Sequence, residues 1–176
     1  MVNKTALLII TALLACASPA FCQIQAGAVF SPKACGASLA IGMGRGVTEV
    51  RLCADLEKVL RGETPYPGVS ASCFMEYNIY EWHPSEDLAI YYFAGPGAMA
   101  GYVVDSNLKR GVAAGLAAIT GFSFAFTESH ICITAGFSGV LGGHLTFTDT
   151  HENTLRLYKS GLRNAIMPEL TVRYMF

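Results

Sequence analysis

From Ser38 to the last residue, apolar side chains recur at every second position, segment after segment. A strand sends successive side chains to opposite faces, so this period predicts strands. Leu39, Ile41 and Met43 alternate with small residues over 38–44. Val50, Leu52, Ala54 and Leu56 then alternate with Glu49, Arg51, Cys53, Asp55 and Glu57, the most polar strand face of the chain. Over 69–80 one set is Val69, Ala71, Cys73, Met75, Tyr77 and Ile79, and the other is Ser70, Ser72, Phe74, Glu76, Asn78 and Tyr80. Three long segments follow at 88–102, 111–126 and 131–147, then a short one at 155–158 and a last one at 168–176. In the last, Leu170, Val172, Tyr174 and Phe176 face one way and Glu169, Thr171, Arg173 and Met175 the other. Turn-forming residues at 62–68, 83–87 and 105–110 punctuate the series. Pro96 interrupts the fourth segment, and a bulge around Gly95-Pro96-Gly97 is the expected accommodation. The count is eight strands without a helical period between them, an all-β domain over 35–176 preceded by a short segment at 23–34.

Composition narrows where such a sheet resides. Hydrophobic residues make up 52% of the 176 and charged residues 14%, a balance that fits a membrane protein. Beyond the N-terminus, however, no apolar run approaches the roughly 18 residues a spanning helix needs, so any crossing is made by strands. A net charge of −1 gives no ground for a nucleic-acid partner. Residues 1–22 read as a secretory signal peptide, with Lys4 as the positive end, an apolar run over 6–15 and a cleavage region at 18–22. Cleavage after Cys22 leaves Gln23 first; alternatively, Leu13-Leu14-Ala15-Cys16 resembles a lipoprotein processing site with a lipidated Cys16. The other cysteines, Cys35, Cys53, Cys73 and Cys132, lack metal-ligand spacing. They read as small apolar fillers, with a Cys35–Cys53 bridge as the alternative.

Alternation alone fits a soluble sandwich equally well. Three features favour a transmembrane barrel. The non-apolar face is mostly glycine, alanine and serine with scattered charges, as the interior of a narrow eight-stranded barrel requires. Aromatics gather toward strand ends: Tyr77, Trp82, Tyr92, Phe122, Phe124 and Phe126 at one rim, and Tyr102, Phe147, Tyr174 and Phe176 at the other. Two such belts match two membrane–water interfaces. An even strand number returns the chain to the side on which it began.

A signal peptide, eight alternating strands and a terminal Tyr174-Met175-Phe176 resemble the small outer-membrane β-barrels of Gram-negative bacteria, the OmpA/OmpX-like group. Tyr91-Tyr92-Phe93-Ala94-Gly95-Pro96-Gly97 is similar to the glycine-rich strand of outer membrane protein beta-barrel domain families. The resemblance implies an eight-stranded antiparallel up-and-down barrel in the outer membrane, a monomer with the lipid bilayer as partner. It also implies that the assembly machinery recognises the strand ending at Phe176.

Candidate chemistry is sparse. Glu49, Arg51, Asp55, Glu57, Glu76, Arg156, Glu169 and Arg173 fall on the inward face and predict a paired polar network that fills the lumen, with a narrow ion path as the alternative. Glu128-Ser129-His130 holds hydrolase residue types, but neighbours in sequence do not generally meet in triad geometry. His144 reads as a lumen filler, and His83, Glu86, Asp87, Glu128 and His130 as a solvated rim in preference to a cation site. The expectation is a non-catalytic protein without cofactor or metal, structural or interactive in role. A lipid-modifying outer-membrane enzyme and a secreted lipocalin-like carrier are the alternatives.

Overall fold

The computed structural model describes residues 23–63, 65–104, 110–146, 154–157 and 167–176, with side chains at 23–63, 65–103, 111–145 and 167–176. The expected signal peptide at 1–22 lies outside the described residues. Among the described residues, nine strands run β1 (Ile24–Phe30), β2 (Ala34–Met43), β3 (Gly46–Asp55), β4 (Gly68–Ser85), β5 (Leu88–Val104), β6 (Arg110–Phe126), β7 (Ile131–Thr146), β8 (Thr154–Leu157) and β9 (Met167–Met175). Each of β1 to β7 pairs antiparallel with its successor, and β9 bonds both β1 and β7. The sheet therefore closes on itself, an up-and-down barrel.

The barrel has eight staves, but their membership differs from the sequence reading. The segment at 23–34 is not a leader to the sheet: β1 pairs with β2 from Ile24↔Ile41 to Phe30↔Cys35 and forms the first stave. At the other end, β8 and β9 lie along the same edge of β7, β8 on Gly143–Thr146 and β9 on Ile131–Ser138. Together they make a single interrupted eighth stave rather than a seventh and an eighth. One consequence follows for the rims. Gln23, the Gly44-Arg45 turn, Glu86-Asp87, the Thr127–His130 link and Phe176 share one rim, here the lower. The β1–β2 and β3–β4 links share the upper.

Lower-rim links are short. The upper rim carries the long 56–67 connection with the one-turn helix α1 (Glu57–Leu60). There Lys58 bonds Glu63 at 2.7 Å and holds its carboxyl below the usual carboxylate range. Pro96 sits opposite Ala118 in an unbroken β5–β6 register, so the bulge expected around it is absent. On the β4 side the ladder skips Met75 and Glu76 without losing register, because proline has no N–H to give. The register slips elsewhere, between Asn78 and Tyr80 and again between Trp82 and Ser85.

Inside and outside follow the pleat. On β6, Ala113, Ala117, Ile119 and Ser123 are buried while Val112, Leu116, Phe122 and Phe126 are exposed. On β9, Thr171, Arg173 and Met175 point in and Leu170, Val172, Tyr174 and Phe176 point out. The narrow interior brings staves close at particular points. At Gly27, opposite Arg173 across the closing seam, an added Cβ would collide with the Val172 carbonyl and the Arg173 Cα. Only glycine fits there.

Candidate functional site

The lumen is filled in two ways. An apolar layer brings Phe74, Phe93, Ala117 and Ile119 together, with Val140 packed against them. Beside it lies a charged cluster drawn from three staves: Glu49 and Arg51 of β3, Glu76 of β4, and Glu169 and Arg173 of β9. These staves are not all adjacent, and the long side chains meet because a small barrel turns every inward residue toward a common axis. Arg51 bonds Glu49 at 2.6 Å, also bonds Glu169, and stands 3.8 Å from Glu76. Its guanidinium carbon lies 4.8 Å from the centre of the Phe74 ring, a cation–π contact joining the two layers. Arg173 stands 3.4 Å from Glu49 and 3.9 Å from Glu76.

Hydroxyls complete the cluster. Ser38 donates to Glu49 and Ser138 to Glu169. Arg173 Nη2 donates to Thr134 at 2.8 Å, and Thr134 shares a 2.8 Å hydrogen bond with Ser123. Glu49, Arg51, Glu76 and Arg173 are all at least 98% buried, where a charge without a partner is costly. The arrangement pairs each with an opposite charge, three carboxylates sharing two guanidiniums. Ser38, Ser123, Thr134 and Ser138 were read in the sequence only as small-face fillers. Their signal was parity: each lies on the same strand face as the charges.

Two residues assigned to this network by alternation stand elsewhere. Glu57 lies in α1, not on a strand, and pairs with Lys33 at 3.1 Å and Arg61 at 2.8 Å on the upper rim. Asp55 ends β3 beside it and accepts the Glu57 backbone N–H at 3.1 Å. The strand ends at Asp55 and the helix begins two residues later at Glu57, so the inward period ends there. The backbone of Arg156 belongs to β8, and its side chain lies outside the described residues. His144 is buried on the inward face of β7.

The aromatics sort differently from the sequence expectation. Tyr174 and Phe176 lie at the lower rim with Trp82, Phe122, Phe124 and Phe126, not at the rim of Tyr102. The reason is the interrupted eighth stave, which brings Tyr174 opposite Ile131. The Tyr174 ring contacts both His130 and Phe176, at 6.0 and 5.1 Å between centroids. The slip after Asn78 pairs Tyr80 with Tyr92 and Trp82 with Ile90, so Tyr80 leaves the inward set and joins Tyr77 outside. Tyr102 is exposed near the upper rim, and Phe147 lies outside the described residues.

Cys35, Cys53, Cys73 and Cys132 are free thiols. Cys35 pairs with Ala54 and Cys53 with Gly36, so Cys35 and Cys53 stand on opposite faces of the sheet and form no bridge. Among the described residues, no group of three or more His, Cys, Asp or Glu side chains is placed to hold a metal ion. Ser129 and His130 sit in the tight lower-rim link, where His130 adopts φ 54°.

One cavity opens into the barrel at the lower rim, with a volume of about 890 Å³. Glu76, Arg173 and Gln25 line its deep part, and Arg45, Glu81 and Gln23 line it nearer the mouth.

No protein-family model matches the sequence, and no curated protein matches it significantly. Solved structures do match. The N-terminal β-barrel domain of Pseudomonas aeruginosa OprF aligns at 16% identity and TM-score 0.46, over 88% of this chain and 96% of that one. Neisserial surface protein A aligns at 18% identity and TM-score 0.44, over 88% and 97%. A major outer membrane protein from Thermus thermophilus aligns at 10% identity and TM-score 0.44, over 88% and 99%.

Proposed function

We propose that the protein is an integral outer-membrane β-barrel with a filled lumen and a structural or interaction role, without a catalytic step. One observation carries the reading: the molecule is partitioned inside out. Leu52, Leu116, Phe137 and Leu141 are more than half exposed on the outer wall, while Glu49, Arg51, Glu76 and Arg173 are sealed within. In water each large apolar side chain left outside forgoes roughly 1.5–3 kcal/mol of burial. Against acyl chains the same wall is solvated, and a closed sheet leaves no backbone edge unpaired in the hydrocarbon. Thr120, a polar residue on that wall, turns its hydroxyl to the Phe93 carbonyl at 3.0 Å.

Short links at the lower rim and the long 56–67 connection at the upper support an orientation with the lower rim in the periplasm. The assembly machinery then engages the strand ending at Phe176. Interaction with other molecules falls to the rims and their loops, since the lumen is occupied. Cell fractionation with a heat-modifiability gel tests the membrane reading. Recovery in the outer membrane with a compact unheated form is the expected result, and recovery in the soluble fraction overturns it. Acyl release or transfer from membrane lipid that is lost in Ser129→Ala overturns the non-catalytic part.

A further inference from the structure

The lower-rim cavity has features that lumen filling does not explain. Its volume of about 890 Å³ falls within the range of small-molecule sites. Its wall is balanced in charge, with Arg173 and Arg45 beside Glu76 and Glu81. Three buried side chains lining it carry polar atoms without a hydrogen-bond partner: Arg173 at Nε and Nη1, Glu76 at Oε1 and Gln25 at Oε1. All three are more than nine-tenths buried. Arg173 Nη1 stands 3.4 Å from Glu49 and Glu76 Oε1 3.8 Å from Arg51, attractive distances without hydrogen-bond geometry. Gln25 Oε1 has neither. Donors and acceptors are thus left unmet within the side chains that form this wall, and each unmet buried group costs about 1–3 kcal/mol.

At the mouth, Arg45 has no ion-pair partner among the described residues, and Glu81 pairs with the exposed His83 at 3.2 Å and bonds the Tyr91 side chain. Met175 also lines the cavity. A simple anion would satisfy the arginines and be repelled by Glu76 and Glu81. A simple cation would meet the reverse. We infer that the cavity binds a small zwitterion of amino-acid or dipeptide size, its carboxylate toward the guanidiniums of Arg173 and Arg45. Its ammonium lies toward Glu81 at the wetter mouth, and the peptide N–H of a dipeptide lies toward Gln25. The site is reached from the lower rim and follows from the barrel geometry, whichever membrane holds the barrel.

Isothermal titration of the folded full-length protein with L-alanyl-L-alanine tests this. Saturable binding is expected, weakened about tenfold by N-acetylation or by amidation of the carboxylate, each of which removes one charge-assisted contact. Arg45→Ala and Gln25→Leu leave the buried ion pairs intact, and each should weaken binding by a similar factor while the heat-modifiability of the barrel is retained. Absence of saturable binding by the folded protein, as a cavity filled only by water would give, overturns the inference. So does binding that ignores the blocked ends or both variants.

Discussion

At the scale of single residues, Arg51 is the hub of the interior. It is 2% exposed and touches Glu49, Glu76, Glu169 and the Phe74 ring. Arg51→Met keeps the length of the stem and removes the charge, leaving Glu49 and Glu76 to the guanidinium of Arg173 and Glu169 without an ion-pair partner among the described residues. Breaking a buried pair by removing one partner costs about 3–5 kcal/mol. A loss of that order is expected in urea unfolding of the protein folded into lipid. The double variant Arg51→Met/Glu169→Gln should lose less than the sum of the two single changes, since the glutamine no longer strands a charge. Strict additivity would show that the pair does not interact. Gly27 makes a steric prediction. Gly27→Ala sets a Cβ against the β9 backbone, so the seam must part, and a loss of about 1–3 kcal/mol is expected in the same assay. Residue identity and parity made most of the interior legible: Glu49, Arg51, Glu76, Glu169 and Arg173 alternate correctly on strands that stay regular. Glu57 was misread because nothing in its alternation announces that the strand has ended and α1 has begun.

At the scale of elements, the sequence showed strands where large apolar residues alternate with small ones and concealed them where both sets are small. β1 reads Ile24-Gln25-Ala26-Gly27-Ala28-Val29-Phe30, and its middle carries almost no contrast. The seam is its evidence: Phe176 N donates to Ile24 O at 2.9 Å, and β9 pairs along β1 from Met175 to Leu170. The slip at Ile79 was equally hidden, because a bulge shifts parity without leaving a distinctive residue. Its effect is to place Tyr77, Tyr80 and Trp82 on one outward face. Trp82 is the only tryptophan, which makes the bulge measurable. In the wild-type protein, brominated lipid should quench Trp82 strongly. Deleting Ile79 removes the extra residue and lets Tyr80 follow Asn78 in plain alternation, with Trp82 still outward and opposite Ile90. Strong quenching should therefore persist in the deletion variant while the protein still folds. A severalfold fall in quenching would mean that Ile79 is not the extra residue of the slip. The eighth stave was miscounted for a related reason. Strand periodicity marks β8 and β9 separately, but only their register along β7 shows that they share one edge.

At the scale of the whole molecule, closure and occlusion are separate properties, and they lead to separate expectations. Closure belongs to the sheet: β1 to β7 and β9 each bond at least two neighbours, β8 bonds β7, and β9 joins β1 to β7. Occlusion belongs to the side chains. The Phe74, Phe93 and Ile119 layer fills the bore beside the Glu49–Arg51–Glu76–Arg173 cluster, and the lower cavity ends against that cluster. A hydrated solute entering from the lower rim therefore meets buried charges held by one another, with the apolar layer packed beside them. Proteoliposomes carrying the barrel should swell no faster in an isosmotic neutral sugar than protein-free vesicles. In planar bilayers the wild-type protein should give no steady unitary conductance. The two layers can be tested separately. Phe74→Ala/Phe93→Ala thins the apolar layer but leaves the ion pairs across the path, so the barrier should persist at the cost of lower stability. Adding Arg51→Ala to that pair removes the cation that gathers the carboxylates, and leakage of small ions should appear with a preference for cations, because carboxylates then outnumber the guanidinium. Conductance in the wild-type protein would show that the lumen opens as a whole. A triple variant that folds and stays tight would place the barrier in residues other than these.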